Sequence, residues 1–165
     1  MIHFSHSAPG SISDMSQSPL AATMPAALLR SPSFQLERLR RHVREEVDAA
    51  LSVQETTLRE YWLLSCLIDR DATSQTELSE MLAIDTSDMV RLIDSLENRT
   101  WVKRKRDPQD RRRQIVAATK KGTRARAELA ELIADAEDRA LDESTPKQLK
   151  HLRKLAGAII SHEEN

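Results

Sequence analysis

Hydrophobic residues recur every three or four positions through most of the chain, which is the spacing that places them on one face of a helix. One such stripe runs from Phe34 to Leu51, and another begins near Thr56. Two longer stripes follow Gly122 and Thr145-Pro146, where threonine can cap a helix and proline suits its first position. The pattern predicts a mainly α-helical protein.

Two short helices are predicted between these longer ones. Ser74 and Glu77 form the S-x-x-E pattern of a capping box, in which each side chain satisfies a free N–H group at the start of the helix. After a turn at residues 83–84, Asp85 is placed to cap the next helix. Two short helices joined by a tight turn form a helix-turn-helix.

A β-hairpin is predicted directly after the helix-turn-helix. Residues 103–106 and 114–119 are expected to pair around Asp107-Pro108-Gln109-Asp110. Proline fixes φ at the second position of the turn, and aspartate at the first can bond to the turn backbone. The expected fold is therefore mainly α with a small β-hairpin wing: a winged helix-turn-helix lobe plus a helical dimerisation region.

Positive charge is concentrated in the hairpin, although the whole chain is nearly neutral. With 25 Lys and Arg against 26 Asp and Glu, the formal net charge is −1. The cations of the hairpin are Lys103, Arg104, Lys105, Arg106, Arg111, Arg112 and Arg113. Only Asp107 and Asp110 oppose them there, whereas residues 128–143 are strongly acidic. A basic hairpin beside a helix that fits the DNA major groove is typical of a surface that binds nucleic acid.

The remaining composition argues against several other kinds of protein. Cys66 is the only cysteine, so neither an intramolecular disulfide nor a thiolate zinc cluster can form. The three glycines form no phosphate-binding loop, and no nucleophile–base pair or metal motif stands out, so no enzyme, cofactor or metal is predicted. The chain has no run of about 18 apolar residues and no secretory signal, and a soluble cytoplasmic protein is expected.

Two stretches between about Leu58 and Gly122 resemble the MarR family of winged helix-turn-helix regulators. Residues 76–85 are similar to the family's helix-turn-helix; Asp107-Pro108-Gln109-Asp110-Arg111-Arg112, followed by Thr119-Lys120-Lys121-Gly122, is similar to its wing. The resemblance implies a homodimer that binds a pseudo-palindromic operator in double-stranded DNA, usually as a repressor. It also implies release by a small phenolic or aromatic effector, or by oxidation of a cysteine.

The DNA-binding residues are expected on the second short helix and on the hairpin. They are Thr86, Ser87, Asp88, Val90, Arg91, Lys103, Lys105, Arg106, Arg111 and Arg112. The resemblance implies that residues 86–91 face base edges, that Arg112 enters the minor groove, and that Asp110 braces the wing by pairing with a neighbouring arginine. Arginine suits a narrow minor groove because it is always charged and weakly hydrated. Two roles remain open for Asp88: accepting from a cytosine amino group, or stabilising the helix N-terminus.

The chain departs from the family in a few places. The family often has glycine before the wing, where this chain has Asn98-Arg99-Thr100-Trp101, and often has threonine at the positions of Asp88 and Val90. These changes affect the expected base reading rather than the docking mode. Cys66 lies inside the second predicted helix and is interpreted as a small buried apolar group rather than a redox sensor.

Weaker signals concern an effector. Arg40, Tyr61 and Trp62 are candidate walls of a pocket between the DNA-binding lobe and the dimer helices, with core packing as the other role for Trp62. His42 stands beside charged residues and is interpreted as an exposed helix residue rather than a ligand for an effector or a metal.

The chain is predicted to consist of a flexible lead over residues 1–31 and one MarR-like domain over residues 32–165. Within that domain, residues 34–51 and 124–161 are assigned to dimerisation and residues 56–122 to DNA binding. The terminal helices carry apolar seams that the winged lobe does not need, and two-fold pairing is the commonest way to bury such seams. The alternative function is a helical interaction module, an anti-regulator that binds a protein through its acidic helices and does not bind DNA.

Overall fold

The computed structural model describes residues 23–70 and 72–163. Most of the predicted lead, residues 1–22, lies outside the described residues, and its predicted flexibility stays a prediction. The chain forms two compact units, residues 1–39 and 40–165.

The described part of the first unit is helical. Helix α1 spans Ala26–Leu29, and helix α2 spans Pro32–Ser52, so that it begins in the first unit and ends in the second. The side-chain amide of Gln35 donates to the carbonyl of Leu29 at 2.7 Å, which ties the start of α2 to the end of α1.

The second unit contains the remaining elements in the predicted order. They are α3 (Leu58–Asp69), α4 (Gln75–Leu82), α5 (Thr86–Asn98), β1 (Val102–Arg106), β2 (Gln114–Ala118), α6 (Lys120–Ala140) and α7 (Pro146–Glu163). A mainly helical chain with one antiparallel hairpin is the fold that the sequence predicted, and the expected fold class is confirmed.

Capping residues determine where the helices of the second unit begin. The predicted capping box is present: Glu77 N–H donates to Ser74 Oγ at 3.3 Å, and Ser74 N–H donates to Glu77 Oε2 at 2.9 Å. Asp85 caps α5 as predicted. Helix α6 begins at Lys120, before Gly122 rather than after it, because Thr119 Oγ1 accepts from Gly122 N–H at 3.0 Å and acts as the cap.

A single hydrophobic core connects α2 through α6 with the hairpin. Its largest fully buried side chains are Val47, Leu51, Leu63, Leu64, Leu67, Leu78, Met89, Ile93, Leu96, Val102 and Leu129. Burying one such side chain stabilises a fold by roughly 1.5–3 kcal/mol. Since both short helices and the root of the hairpin contribute to this core, they are held on a common base.

The hairpin is extended by a third short segment that the sequence analysis did not predict. Strands β1 and β2 pair antiparallel, with Arg106 opposite Gln114 and Val102 opposite Ala118. Thr73 then pairs with Val116: Thr73 N–H donates to the Val116 carbonyl at 3.0 Å, and Val116 N–H donates back at 2.8 Å. This bridge attaches β2 to the residue that precedes the N-cap of α4.

Thr100 adopts a left-handed backbone conformation, with φ of 62°. A β-branched residue is unfavourable there because its Cβ approaches the following carbonyl, whereas glycine adopts this conformation readily. Thr100 stands just before the wing, where the family that the sequence resembles often has glycine, and a positive φ is a physical reason for glycine there.

We expect Thr100→Gly to raise the free energy of unfolding by about 1 kcal/mol, because it relieves this strain. Chemical denaturation followed by circular dichroism measures the change. Thr123→Gly, in the first turn of α6, is the matched control and should destabilise the protein, since glycine there gains no conformational relief. An unstable Thr100→Gly variant would contradict the strain argument.

Helix α7 has no buried residue in the described chain. Its apolar side includes Leu155, Ile159 and Ile160, whose exposed fractions are 57, 52 and 60%. Contiguous apolar surface of this kind usually marks a site of association. Among the described helices, none combines the length and the hydropathy that crossing a bilayer requires.

Candidate nucleic-acid interface

Asp85 shapes the N-terminus of α5. Its carboxylate accepts from the Ser87 hydroxyl at 2.6 Å, from Ser87 N–H at 2.9 Å and from Asp88 N–H at 3.0 Å. The Ser87 hydroxyl and the Asp88 N–H lower the pKa of Asp85 to about 2. The cap therefore stays ionised at neutral pH, and it occupies two N–H groups of the first turn that would otherwise be open to phosphate.

The residues predicted to contact base edges lie on different faces of α5. Met89, Ile93 and Leu96 are buried and define the inner face. At 3.6 residues per turn, Ser87 and Arg91 fall on the opposite, outer face, and both are exposed. Thr86 is also exposed, whereas Val90 is half-buried. Of the predicted reading residues, Ser87 and Arg91 therefore project most directly away from the protein.

Asp88 faces helix α3 rather than the outer side of α5. Its carboxylate pairs with Arg91 Nη1 at 3.2 Å and with Arg59 Nη1 of α3 at 3.4 Å. The two roles that the sequence analysis left open for Asp88, accepting from a cytosine amino group and stabilising the helix N-terminus, did not include these two ion pairs. Asp88 lies in the first turn of α5, where its charge also favours the helix N-terminus.

The wing is attached to α5 through Arg104. The Arg104 guanidinium pairs with Asp94 and Glu97 on α5, and its backbone N–H donates to Glu97 Oε1 at 3.0 Å. The backbone hydrogen bond from Arg104 is the leading cause that holds the pKa of Glu97 below its usual value. Arg104 is therefore engaged within the protein and positions β1, although the sequence showed it only as one of seven clustered cations.

The second attachment of the wing is made by Arg113. Its guanidinium donates to Glu77 Oε1 at 2.7 Å and to Ser74 Oγ at 2.9 Å, at the start of α4. Glu77 also accepts from Thr73 Oγ1 at 2.9 Å. One carboxylate thus joins the cap of α4, the third segment of the sheet and the base of the wing.

We expect Glu77 to make the protein sensitive to acid. The Ser74 backbone N–H, then the Arg113 side chain and the neighbouring hydroxyls, lower the pKa of Glu77 from 4.5 to about 2. As the pH falls, the unfolded chain takes up this proton first, so the stability that Glu77 contributes is complete above about pH 4.5 and is lost between there and pH 2. Glu77→Gln should lower the melting temperature at pH 7 and flatten its decrease between pH 5 and pH 2. An unchanged acid profile in Glu77→Gln would refute this role.

The remaining cations of the wing are exposed. Lys103 and Lys105 alternate with Arg104 along β1 and therefore lie on the other face of the strand. Arg111 and Arg112 are exposed at the tip, and Arg106 donates from Nη1 to the Arg111 carbonyl at 3.2 Å.

Two aspartates shape the tip through backbone hydrogen bonds. Asp107 Oδ1 accepts from Gln109 N–H at 2.8 Å, and Asp110 Oδ1 accepts from Arg112 N–H at 2.9 Å. Among the described contacts, Asp110 binds the backbone N–H of Arg112 and no arginine side chain. The arginine side chains that fasten the wing bind Glu77, Asp94 and Glu97 instead. The brace that the resemblance implied for Asp110 thus involves a backbone donor.

The residues proposed for an effector pocket lie on α2 and α3. Tyr61 is half-buried, and the guanidinium of Arg126 from α6 lies 5.7 Å from its ring centroid. Trp62 is exposed, as is Arg40 on α2. Arg126, which the sequence analysis did not single out, thus supplies the cation beside Tyr61, and its Nε donates to Ser65 Oγ at 3.3 Å.

Two further side chains were interpreted from the sequence. Cys66 is half-buried and packs against the core, and this burial raises the pKa of its thiol. It therefore remains protonated at neutral pH, which suits an apolar packing role better than a redox role. His42 is exposed, as expected, and its Nε2 lies 3.1 Å from the carbonyl of Ala140 at the end of α6.

A helix-turn-helix followed by a cationic hairpin on the same core defines a winged helix-turn-helix protein. Residues 56–113 match the sequence profile of the MarR family. This match places a MarR-family domain over residues 56–113, and the structural matches that follow give the chain the fold of MarR-family transcriptional regulators. Comparison with curated protein sequences gives no match.

Solved structures of MarR-family regulators have the same fold. A MarR-family transcriptional regulator from Rhodococcus sp. RHA1 is 26% identical with a TM-score of 0.70, covering 77% of this chain and 91% of its own. CouR from Rhodococcus jostii RHA1, bound to p-coumaroyl-CoA, is 28% identical with a TM-score of 0.71, covering 82% and 95%. A mutant MarR from E. coli complexed with operator DNA is 20% identical with a TM-score of 0.68, covering 77% and 91%.

Proposed function

We propose that the chain binds double-stranded DNA sequence-specifically as a homodimer and represses transcription from a pseudo-palindromic operator. The observation that carries this proposal is the shared exposure of the outer face of α5 and of the wing tip. Ser87, Arg91 and Arg112 are exposed, while Arg104 and Arg113 fasten the wing to the helix-turn-helix. The protein therefore presents a helix for the major groove and an arginine for the minor groove at a fixed separation.

The homodimer is supported by the uncovered apolar side of α7. Leu155, Ile159 and Ile160 are exposed in the single chain, and self-association is the commonest way to bury a surface of this kind. Two copies related by a two-fold axis would place two α5 helices about 34 Å apart, one turn of DNA, so that both enter the major groove on one side of the duplex.

An aromatic effector is proposed for the region between α2 and α3. CouR was solved with p-coumaroyl-CoA, an aromatic acyl thioester. Arg40, Tyr61 and Trp62 supply a cation and two aromatic rings on these helices. An effector releases DNA only if it binds more tightly to a dimer whose two α5 helices no longer fit the DNA than to the DNA-bound dimer.

Selection of bound duplexes from a random 30-base-pair library tests the proposal directly. A regulator should enrich a pseudo-palindromic sequence, bind it as a dimer by light scattering, and lose affinity steeply as salt is raised. Enrichment of no sequence, together with no gel shift at 50 mM salt, would favour the protein-interaction module instead.

A further inference from the structure

Three charged side chains form a cluster at the junction of α3 and α5. One of them, Arg59, is not among the DNA-binding residues expected from the sequence. Asp88 Oδ1 contacts Arg91 Nη1 at 3.2 Å, and Asp88 Oδ2 contacts Arg59 Nη1 at 3.4 Å. Each carboxylate oxygen thus contacts a different arginine, and the arginines come from different helices. We call Arg59, Asp88 and Arg91 the Asp88 cluster.

The position of Arg59 beside α5 is fixed by a buried carboxylate. Glu60, the next residue of α3, is only 4% exposed. Its Oε1 accepts from Ser95 Oγ on α5 at 2.5 Å, and its Oε2 accepts from Thr57 N–H at 2.8 Å. The start of α3 is therefore coupled to α5, and Arg59 is carried next to the recognition helix by the fold rather than by its own ion pair.

The Asp88 cluster is exposed and cationic. The side chains of Arg59, Asp88 and Arg91 retain 50, 36 and 77% of their accessible surface. Two guanidinium groups against one carboxylate leave a formal charge of +1. Ion pairs this exposed contribute little to stability, so either guanidinium can exchange Asp88 for a phosphate at small cost.

A bare carboxylate on this turn of α5 would be repelled by the DNA backbone. Arg59 offsets that repulsion from the neighbouring helix, and Arg91 offsets it from the next turn of α5. Since Arg91 lies on the outer face of α5, the cluster extends from that face to the start of α3. A DNA phosphate that lies beside α5 would therefore also be close to Arg59.

We propose that Arg59 is a phosphate-contacting residue of the DNA interface, and that Asp88, with which it pairs, restrains non-specific binding. The inference rests on the proposed function. Arg59 supplies affinity for any duplex, whereas Asp88 supplies a repulsive charge that only a correctly docked duplex avoids. The two members of one ion pair thus have opposite effects on binding.

Arg59→Gln and Asp88→Asn test these opposite effects. The probes are the duplex selected by the wild-type protein and a random duplex of equal length. Arg59→Gln should weaken binding to both duplexes on the order of tenfold, and it should reduce the log–log salt slope by about 0.9 for each protomer. Asp88→Asn should strengthen binding to the random duplex several-fold and lower the ratio between the two affinities.

Two further variants separate a phosphate contact from a structural brace. Arg59→Lys keeps the positive charge and should keep the salt slope. Arg30→Ala removes an exposed arginine between α1 and α2, outside the segments assigned to DNA binding and to dimerisation, and should change neither affinity nor slope. If Arg59 only braced α5, Arg59→Gln and Asp88→Asn would both weaken binding and leave the slope unchanged, which would overturn the inference.

Failure of the inference is distinguishable from failure of the proposed function. A wild-type protein that binds neither duplex at 50 mM salt refutes the proposed function. A wild-type protein that binds the selected duplex, together with an Arg59→Gln variant of unchanged affinity and slope, refutes only the role of Arg59. Circular dichroism melts of each variant confirm that the compared proteins are folded.

Discussion

Gly122→Ala should destabilise the protein by about 3 kcal/mol or more, near the upper end of what overpacking costs. A Cβ at position 122 would lie 2.0 Å from the carbonyl oxygen of Trp101, far inside any real contact. Gly122 is needed because α6 passes directly over the last turn before β1. The same contact makes this glycine important to the wing, since Trp101 immediately precedes β1.

The clash at Gly122 has no inexpensive relief. The Trp101 carbonyl accepts from Thr119 N–H at 2.9 Å and from Thr119 Oγ1 at 3.2 Å, so it cannot turn away without breaking these two hydrogen bonds. Arg99 reinforces the junction: its guanidinium lies 5.0 Å from the Trp101 ring and donates to the Gln54 carbonyl at 3.0 Å. Thermal unfolding should show a melting temperature lowered by roughly 10 °C.

Gly157→Ala is the matched control for Gly122→Ala. No atom lies within 4 Å of a Cβ built at position 157. Gly157 stands inside α7 at an exposed position. Alanine there should stabilise the helix by about 0.5–1 kcal/mol, since glycine is costly in a helix interior. The same substitution thus has opposite signs at two positions, and equal effects at both would contradict the argument.

Elements with a strong local signal could be predicted from the sequence. The pairs Ser74 with Glu77 and Asp85 with Ser87 lie within one helical turn, so their geometry follows from their spacing alone. The hairpin was predicted for the same reason: Asp107 and Pro108 fix the turn, and the strands on either side then pair without any long-range information.

The charge partners could not be predicted, because they join segments far apart in the chain. Seven cations crowd residues 103–113, and nothing in their order distinguishes those that hold the wing from those that face solvent. The fold decides this: Arg104 meets α5, Arg113 meets α4, and Arg112 meets neither among the described contacts. Arg59 was missed for the same reason, since its partner Asp88 is 29 residues away.

The bridge between Thr73 and Val116 illustrates a related limit. A one-residue strand has no periodicity, so no pattern in the sequence can reveal it. It is nevertheless part of the same attachment as Arg113, because Thr73 also donates to Glu77. The position of the wing is therefore set by contacts that become visible only when α4 and β2 are brought together.

Arg112→Ala should weaken binding to the selected duplex by about tenfold or more while leaving the melting temperature unchanged. Arg112 is exposed at the tip of the wing, and the contact described for it uses its backbone N–H, which alanine keeps. Removing the side chain thus removes a cation without disturbing the turn. Fluorescence anisotropy with the selected duplex, at one fixed salt concentration, measures the loss.

Arg113→Ala is the matched comparison, since it removes the same positive charge from the adjacent residue. Arg113 holds β2 to Glu77 and Ser74, so its loss should lower the melting temperature and also weaken DNA binding by freeing the wing. Affinity and stability should therefore fall together in Arg113→Ala and separate in Arg112→Ala. An Arg112→Ala variant that binds the selected duplex like the wild type would remove the wing tip from the interface, and one that melts at lower temperature would show that Arg112 supports the fold.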